Sequence, residues 1–105
     1  MRKLRTLAEY EEGYFREHPE EIESYLEVMF DEFAADGDAA ALLASLRVIA
    51  KVKGIATIAE EIGMTRQGLN KALSEKGNPR LENINSIMKA MGYRLVPEKI
   101  DMAHA

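Results

Sequence analysis

The stretch at residues 55–73, IATIAEEIGMTRQGLNKAL, constrains the fold more than any other part of this chain. It reads as two short amphipathic helices joined by a tight turn. Gly63 falls where such a turn needs a residue tolerant of positive φ. Ala59, four positions earlier, is small enough to let the second helix cross closely. Ile58, Ile62, Met64, Leu69 and Ala72 occupy the places where both helices face a core, and Thr65 can cap a second helix running to about Ser74. Together these features spell a helix-turn-helix.

The outer face of that second helix is polar, with Arg66, Gln67, Asn70 and Lys71. Arginine pairs bidentately with guanine, and glutamine or asparagine with adenine, across the floor of the DNA major groove. The first turn of such a helix points at the bases, which places Arg66 and Gln67 best and Asn70 one turn further on. Lys71, Lys76 and Arg80 suit phosphates, as do the Thr65 hydroxyl and the helix N-terminus. The alternative is a plain helical hairpin, in which a glycine turn and a polar outer face are equally expected. The joint agreement of the small, glycine and apolar positions favours DNA binding.

Charge is segregated along the chain. Residues 1–37 carry four basic side chains against eleven acidic ones, a net −7, whereas residues 38–95 carry nine against five, a net +4. A nucleic-acid footprint is therefore local, and the overall charge of −4 conceals it. Charge asymmetry between short segments also arises without function, so it supports the motif and does not stand alone. A length of 105 residues with 47% apolar side chains suffices for one packed core. The absence of cysteine excludes disulfides, thiol catalysis and thiolate metal sites. No apolar run approaches the roughly 20 residues of a membrane span, and Glu9, Glu11 and Glu12 stand where a signal peptide needs its apolar stretch. A cytoplasmic domain is expected.

Thr6 and Glu9 fit a capping box at the start of a helix to about Phe15. Pro19 opens a second helix, whose early Glu20, Glu21 and Glu23 favour the positive end of the helix dipole. Ile22, Leu26, Met29, Phe30 and Phe33 give that helix an apolar face. Asp38 caps a third helix ending near Gly54, and residues 75–79 form a loop. Ile84, Ile87, Met88 and Met91 line a last helix stopped by Gly92, and Tyr93-Arg94-Leu95-Val96 reads as a short strand ended by Pro97. The expectation is an all-α chain of five short to medium helices and one terminal strand. Residues 1–37 form an acidic helical arm, residues 38–92 the helix-turn-helix domain, and residues 93–105 the strand and a tail.

Residues 38–92 resemble the phage-repressor, Cro-like helix-turn-helix domain. From Thr6 to Val96 the chain more closely resembles the addiction-module antidote proteins, a branch of HigA-like antitoxins. The resemblance is carried by Pro19-Glu20-Glu21-Ile22-Glu23-Ser24-Tyr25-Leu26, by Ala59-Glu60-Glu61-Ile62-Gly63-Met64-Thr65-Arg66, and by Gly68-Leu69-Asn70-Lys71-Ala72-Leu73-Ser74 with Gly77-Asn78-Pro79. The terminal Met91-Gly92-Tyr93-Arg94-Leu95 completes it. Two departures stand out: Ile55 where many such domains place a phosphate-binding glutamine, and Gly68 inside the recognition helix, at a cost of about 1 kcal/mol relative to alanine.

The resemblance implies an antitoxin that represses its own operon on double-stranded operator DNA and neutralises a RelE-like ribonuclease toxin. An RNA-binding toxin surface is basic, and the acidic arm would attract it, with Glu20, Glu21, Glu23 and Glu27 steering and Ile22, Tyr25 and Leu26 as apolar anchors. The alternative for these glutamates is a solvated helix face. Repressors of this shape pair on two half-sites about one helical turn apart. A four-residue strand also needs a partner edge, so a homodimer with Tyr93 and Leu95 facing inward is expected. A stand-alone transcriptional regulator without a toxin is the rival reading, and an adaptor that has lost DNA binding a weaker third. No catalytic, metal or cofactor site is expected: His18 and His104 are far apart in sequence and belong to no ligand-spaced cluster.

Overall fold

The computed structural model describes residues 6–101, which are helical throughout apart from turns and a C-terminal segment. His104 and the basic opening at residues 1–5 lie outside the described residues. Six α-helices follow in order: α1 (Leu7–Glu17), α2 (Ile22–Asp36), α3 (Ala39–Lys53), α4 (Ile55–Ile62), α5 (Arg66–Ala72) and α6 (Leu81–Ala90). That is one more than the five expected, since each helical segment outlined in the sequence forms a helix of its own. A short 3-10 turn at Pro19–Glu21 precedes α2, where the proline forgoes only a donor that a helix start leaves unused.

The helix ends follow from local chemistry. Thr6 Oγ1 accepts from the Glu9 amide at 3.1 Å and donates to the Glu9 carboxylate at the same distance. Asp38 accepts from the Ala41 amide at 3.1 Å to start α3. Past α6, Gly92 takes φ +95, a left-handed conformation that costs glycine little and stops the helix.

Helix α3 is the centre of the molecule. Seven of its residues are buried, with Leu46 and Ile49 wholly inaccessible. It packs against α1 and α2 on one side and against α4 on another, and α4 in turn meets α5 and α6. One apolar cluster runs through both parts, joining Phe15, Ile22 and Leu26 of the arm to Leu69, Leu73 and Ile87 beyond α4. Ser45, the buried polar residue on α3, donates to the Ala41 carbonyl at 3.0 Å and so enters the core satisfied.

The terminal strand does not form within the described residues. A strand requires a second edge to bond to, and the chain supplies none. The Tyr93 amide turns back to the Met88 carbonyl at 2.8 Å, and residues 94–100 make no backbone hydrogen bond among the described residues. Tyr93 and Leu95 instead lie half-buried against the chain's own core, with Lys53 over the Tyr93 ring at 5.6 Å.

Candidate functional site

Helices α4 and α5 are joined by Gly63, Met64 and Thr65. Gly63 takes φ +73, its amide reaches the Glu60 carbonyl at 3.3 Å, and the Met64 amide reaches the Ala59 carbonyl at 2.9 Å. This pair of bonds satisfies carbonyls that the end of α4 would otherwise leave open. Ala59 is buried at the corner, and Leu69 and Leu73 carry no accessible surface, so α5 is seated by its apolar side. These two backbone bonds, with Ala59 and Leu69 buried behind them, close the corner.

The seating of α5 decides what faces outward. Arg66, Gln67 and Lys71 are exposed and Asn70 is half-exposed, on the side opposite Leu69. Arg66 and Lys71 make no ion pair among the described residues. Thr65 caps the helix by accepting from the Gly68 amide at 2.9 Å, which leaves its hydroxyl hydrogen free to donate. The cap also accounts for Gly68, because a methyl group there would sit 2.9 Å from the same threonine oxygen. The helix ends at Ala72 rather than near Ser74, whose hydroxyl closes the end by donating to the Lys71 carbonyl at 2.7 Å.

The loop to α6 presents Lys76 and Arg80, both exposed. Arg80 lies 3.6 Å from Glu82, a solvent-exposed pair that holds the arginine weakly. Gly77 fixes the loop's path in a way no sequence rule indicated. A methyl group at this position would collide with the Ala72 carbonyl oxygen and come within 2.8 Å of the Lys71 carbonyl oxygen. Both obstacles are backbone, so neither yields by a rotamer change. Gly77→Ala is expected to destabilise the chain by about 1 to 3 kcal/mol, measured by urea unfolding, as overpacking does elsewhere.

The residues expected to meet a toxin are divided. Glu20, Glu23 and Glu27 are exposed on or beside α2. Ile22 and Leu26, expected as apolar anchors, are 2% and 3% exposed and belong to the chain's own core. An apolar helix face does not declare in sequence what will cover it, and here α3 covers it. Tyr25 sits on the α1 side, its hydroxyl donating to Glu11 at 3.3 Å and its ring 4.6 Å from that of Phe15. Burial, with smaller contributions from the Glu11 charge and the hydrogen bond to it, pushes the Tyr25 hydroxyl pKa up.

Glu23 and Glu27 instead line a groove of about 1080 Å³ between α2 and the segment after α6. Asp31 continues their ridge, and Lys89 and Arg94 line the same groove. The reading of the sequence missed Asp31, Lys89 and Arg94. The four-residue spacing of Glu23, Glu27 and Asp31 was the available signal. Tyr93 is also in this groove, and burial first, then the nearby Glu23 charge, raises its pKa. No cluster of metal-ligating side chains occurs among the described residues. No helix among them is long and apolar enough to cross a membrane.

Among the described residues the chain is a small all-helical protein, with an exposed polar face on a short, well-seated helix and an acidic first pair of helices packed on the same core. Residues 6–99 match the model of the family described as probable addiction module antidote protein, and the chain belongs to that family. It is also 36% identical over 75 residues to an uncharacterised protein of Haemophilus influenzae strain Rd, an alignment covering 71% of this chain and 73% of the relative. No solved structure matches the chain. Membership points to an antitoxin role in a toxin–antitoxin module and implies a toxin as partner.

Proposed function

We propose that this antidote binds operator DNA through a helix-turn-helix made by α4 and α5, represses its own operon as a homodimer, and neutralises a RelE-like ribonuclease toxin. The observation that carries the DNA-binding part is the orientation of α5. Its apolar side is locked by Leu69 and Leu73, which leaves Arg66, Gln67, Asn70 and Lys71 together on the outer side. The three-residue turn with Gly63 at positive φ has the length and residue type that motif requires. In this reading Arg66 and Gln67 address base edges, while Lys71, Lys76, Arg80 and the Thr65 hydroxyl meet phosphates. The repressor-like architecture, with 38–92 as the DNA-binding part, belongs to the same proposal.

For the toxin, exposed Glu20, Glu23 and Glu27 remain candidate contacts, and half-exposed Tyr25 a candidate on the other side of α2. Their charge suits a basic RNA-cleaving partner. The burial of Ile22 and Leu26 favours the rival reading to one extent: these two side chains serve packing whether or not a toxin binds.

Gel-shift titration on the native promoter tests the DNA-binding part. Arg66→Ala and Gln67→Ala are each expected to weaken specific binding by about 1 to 3 kcal/mol, with thermal unfolding nearly unchanged because both side chains are exposed. Lys71→Ala is expected to weaken binding to all sequences alike and to reduce the salt dependence. Unaltered promoter binding by Arg66→Ala would remove the base-reading role.

A further inference from the structure

The groove between α2 and the segment after α6 has an acidic wall on α2 and, facing it, a mixed wall that is basic on balance. On one, Glu23, Glu27 and Asp31 follow each other at four-residue spacing. Like charges so spaced weaken a helix, and none of the three makes an ion pair among the described residues. On the other side stand Lys89 and Arg94, equally without an ion-pair partner among the described residues, with the carboxylate of Glu98 further along the segment. The groove between them has apolar lining from Leu26, Phe30, Met88 and Leu95.

The segment bordering this groove is itself incomplete. Residues 94–100 make no backbone hydrogen bond among the described residues, which leaves an open edge. Val96 and Ile100 are 62% and 70% exposed, with the cation Lys99 between them in sequence. The chain thus presents, side by side, an apolar groove with a carboxylate ridge and an unpaired apolar segment carrying a lysine.

We propose that a second copy of this chain fills the groove. The two segments after α6 lie antiparallel across a twofold axis and exchange backbone hydrogen bonds around residues 94–96, until Pro97 ends the ladder. Each copy, with Val96 at the rim of its own groove, lays Ile100 over the partner's apolar lining and brings Lys99 to the partner's carboxylate ridge. A twofold contact sets each patch against the other patch of its mate, so an acidic wall and one basic on balance make a surface complementary to itself. That self-complementarity singles out a second copy over a purely cationic ligand, which Lys89 and Arg94 would repel. The groove includes no residue of α4, α5 or the loop between α5 and α6, so Arg66, Gln67, Asn70 and Lys71 stay uncovered in such a dimer. This inference rests on the dimeric part of the proposed function and gives that dimer its interface.

The test is the oligomeric state of the full chain by sedimentation equilibrium from low to high micromolar concentration. The wild type is expected to dimerise. Glu27→Lys and Lys99→Glu are each expected to weaken the dimer about tenfold or more, because the twofold repeats every lost pair. The double variant Glu27→Lys/Lys99→Glu restores the attraction with its sign reversed and is expected to return close to wild-type affinity. Both side chains are exposed, and melting curves establish that each variant is folded. A wild-type dimer unmoved by either single change overturns this interface while leaving the dimeric reading intact. Failure of the double variant to recover overturns the Lys99 pairing and with it the proposal. A wild-type monomer at high micromolar concentration overturns both readings.

Discussion

A chain that begins at Gly37 is expected to lose its cooperative fold. The acidic segment before it supplies Phe15, Ile22 and Leu26, each less than a tenth exposed, to the cluster built around α3. Removing three large buried side chains forfeits about 5 to 9 kcal/mol of apolar burial, at roughly 1.5 to 3 kcal/mol each. A domain of this size holds only about 5 to 15 kcal/mol in all. Leu42, Leu43 and Leu46 belong to the same cluster on α3, which loses its α1 and α2 contacts. Circular dichroism is expected to show residual helix without a sharp thermal transition. A melting curve like that of the full chain would show that α3 to α6 suffice. An experiment that asks whether the arm binds a toxin therefore has to use a charge change at exposed Glu20, which lies outside the groove assigned to the dimer, not deletion.

Leu69→Ala is the single substitution expected to do the most damage at the candidate DNA site. Leu69 is wholly buried and sits on the inner side of a helix of only seven residues. Truncating it costs about 2 to 5 kcal/mol, the range for a buried leucine in a well-packed interior. So short a helix is not stable by itself and holds its shape through tertiary packing. Loosening this anchor frees α5 to shift, so promoter binding is expected to fall further than with Arg66→Ala even where the chain remains folded. The two effects separate by comparing urea unfolding with gel-shift titration at a temperature where both variants are native. A Leu69→Ala chain with wild-type stability would mean that Leu73 alone seats the helix.

What the sequence discloses about this fold is mostly what neighbours along the chain decide. Thr6, Asp38 and Thr65 cap the helices they were expected to cap, because a side-chain oxygen reaching an amide three residues on involves nothing distant. Gly63 is equally local. The face of α2 is a different matter: its spacing declares that Ile22 and Leu26 will be covered but not by what, and a partner protein and α3 are indistinguishable in one dimension. Gly77 is hidden for the same reason, since the carbonyls that exclude a side chain belong to α5. The segment at residues 93–96 has strand composition, yet composition cannot provide a second edge. The groove between α2 and the chain's end exists only through folding, although its acidic ridge is written out at four-residue intervals.

The sharing of α3 by the arm and by the α4–α6 part also bears on how such a protein can be recombined. A crossover near residue 37 would transplant an arm whose inner side chains were fitted to a different third helix, and the hybrid would inherit holes or clashes at Phe15, Ile22 and Leu26. Exchange of whole arms is thus a poor route to new partners. The surface of α2, where charge can be rewritten position by position without touching the interior, is the cheaper place for divergence, and a chimera that respects this seam keeps the first three helices as one inherited block.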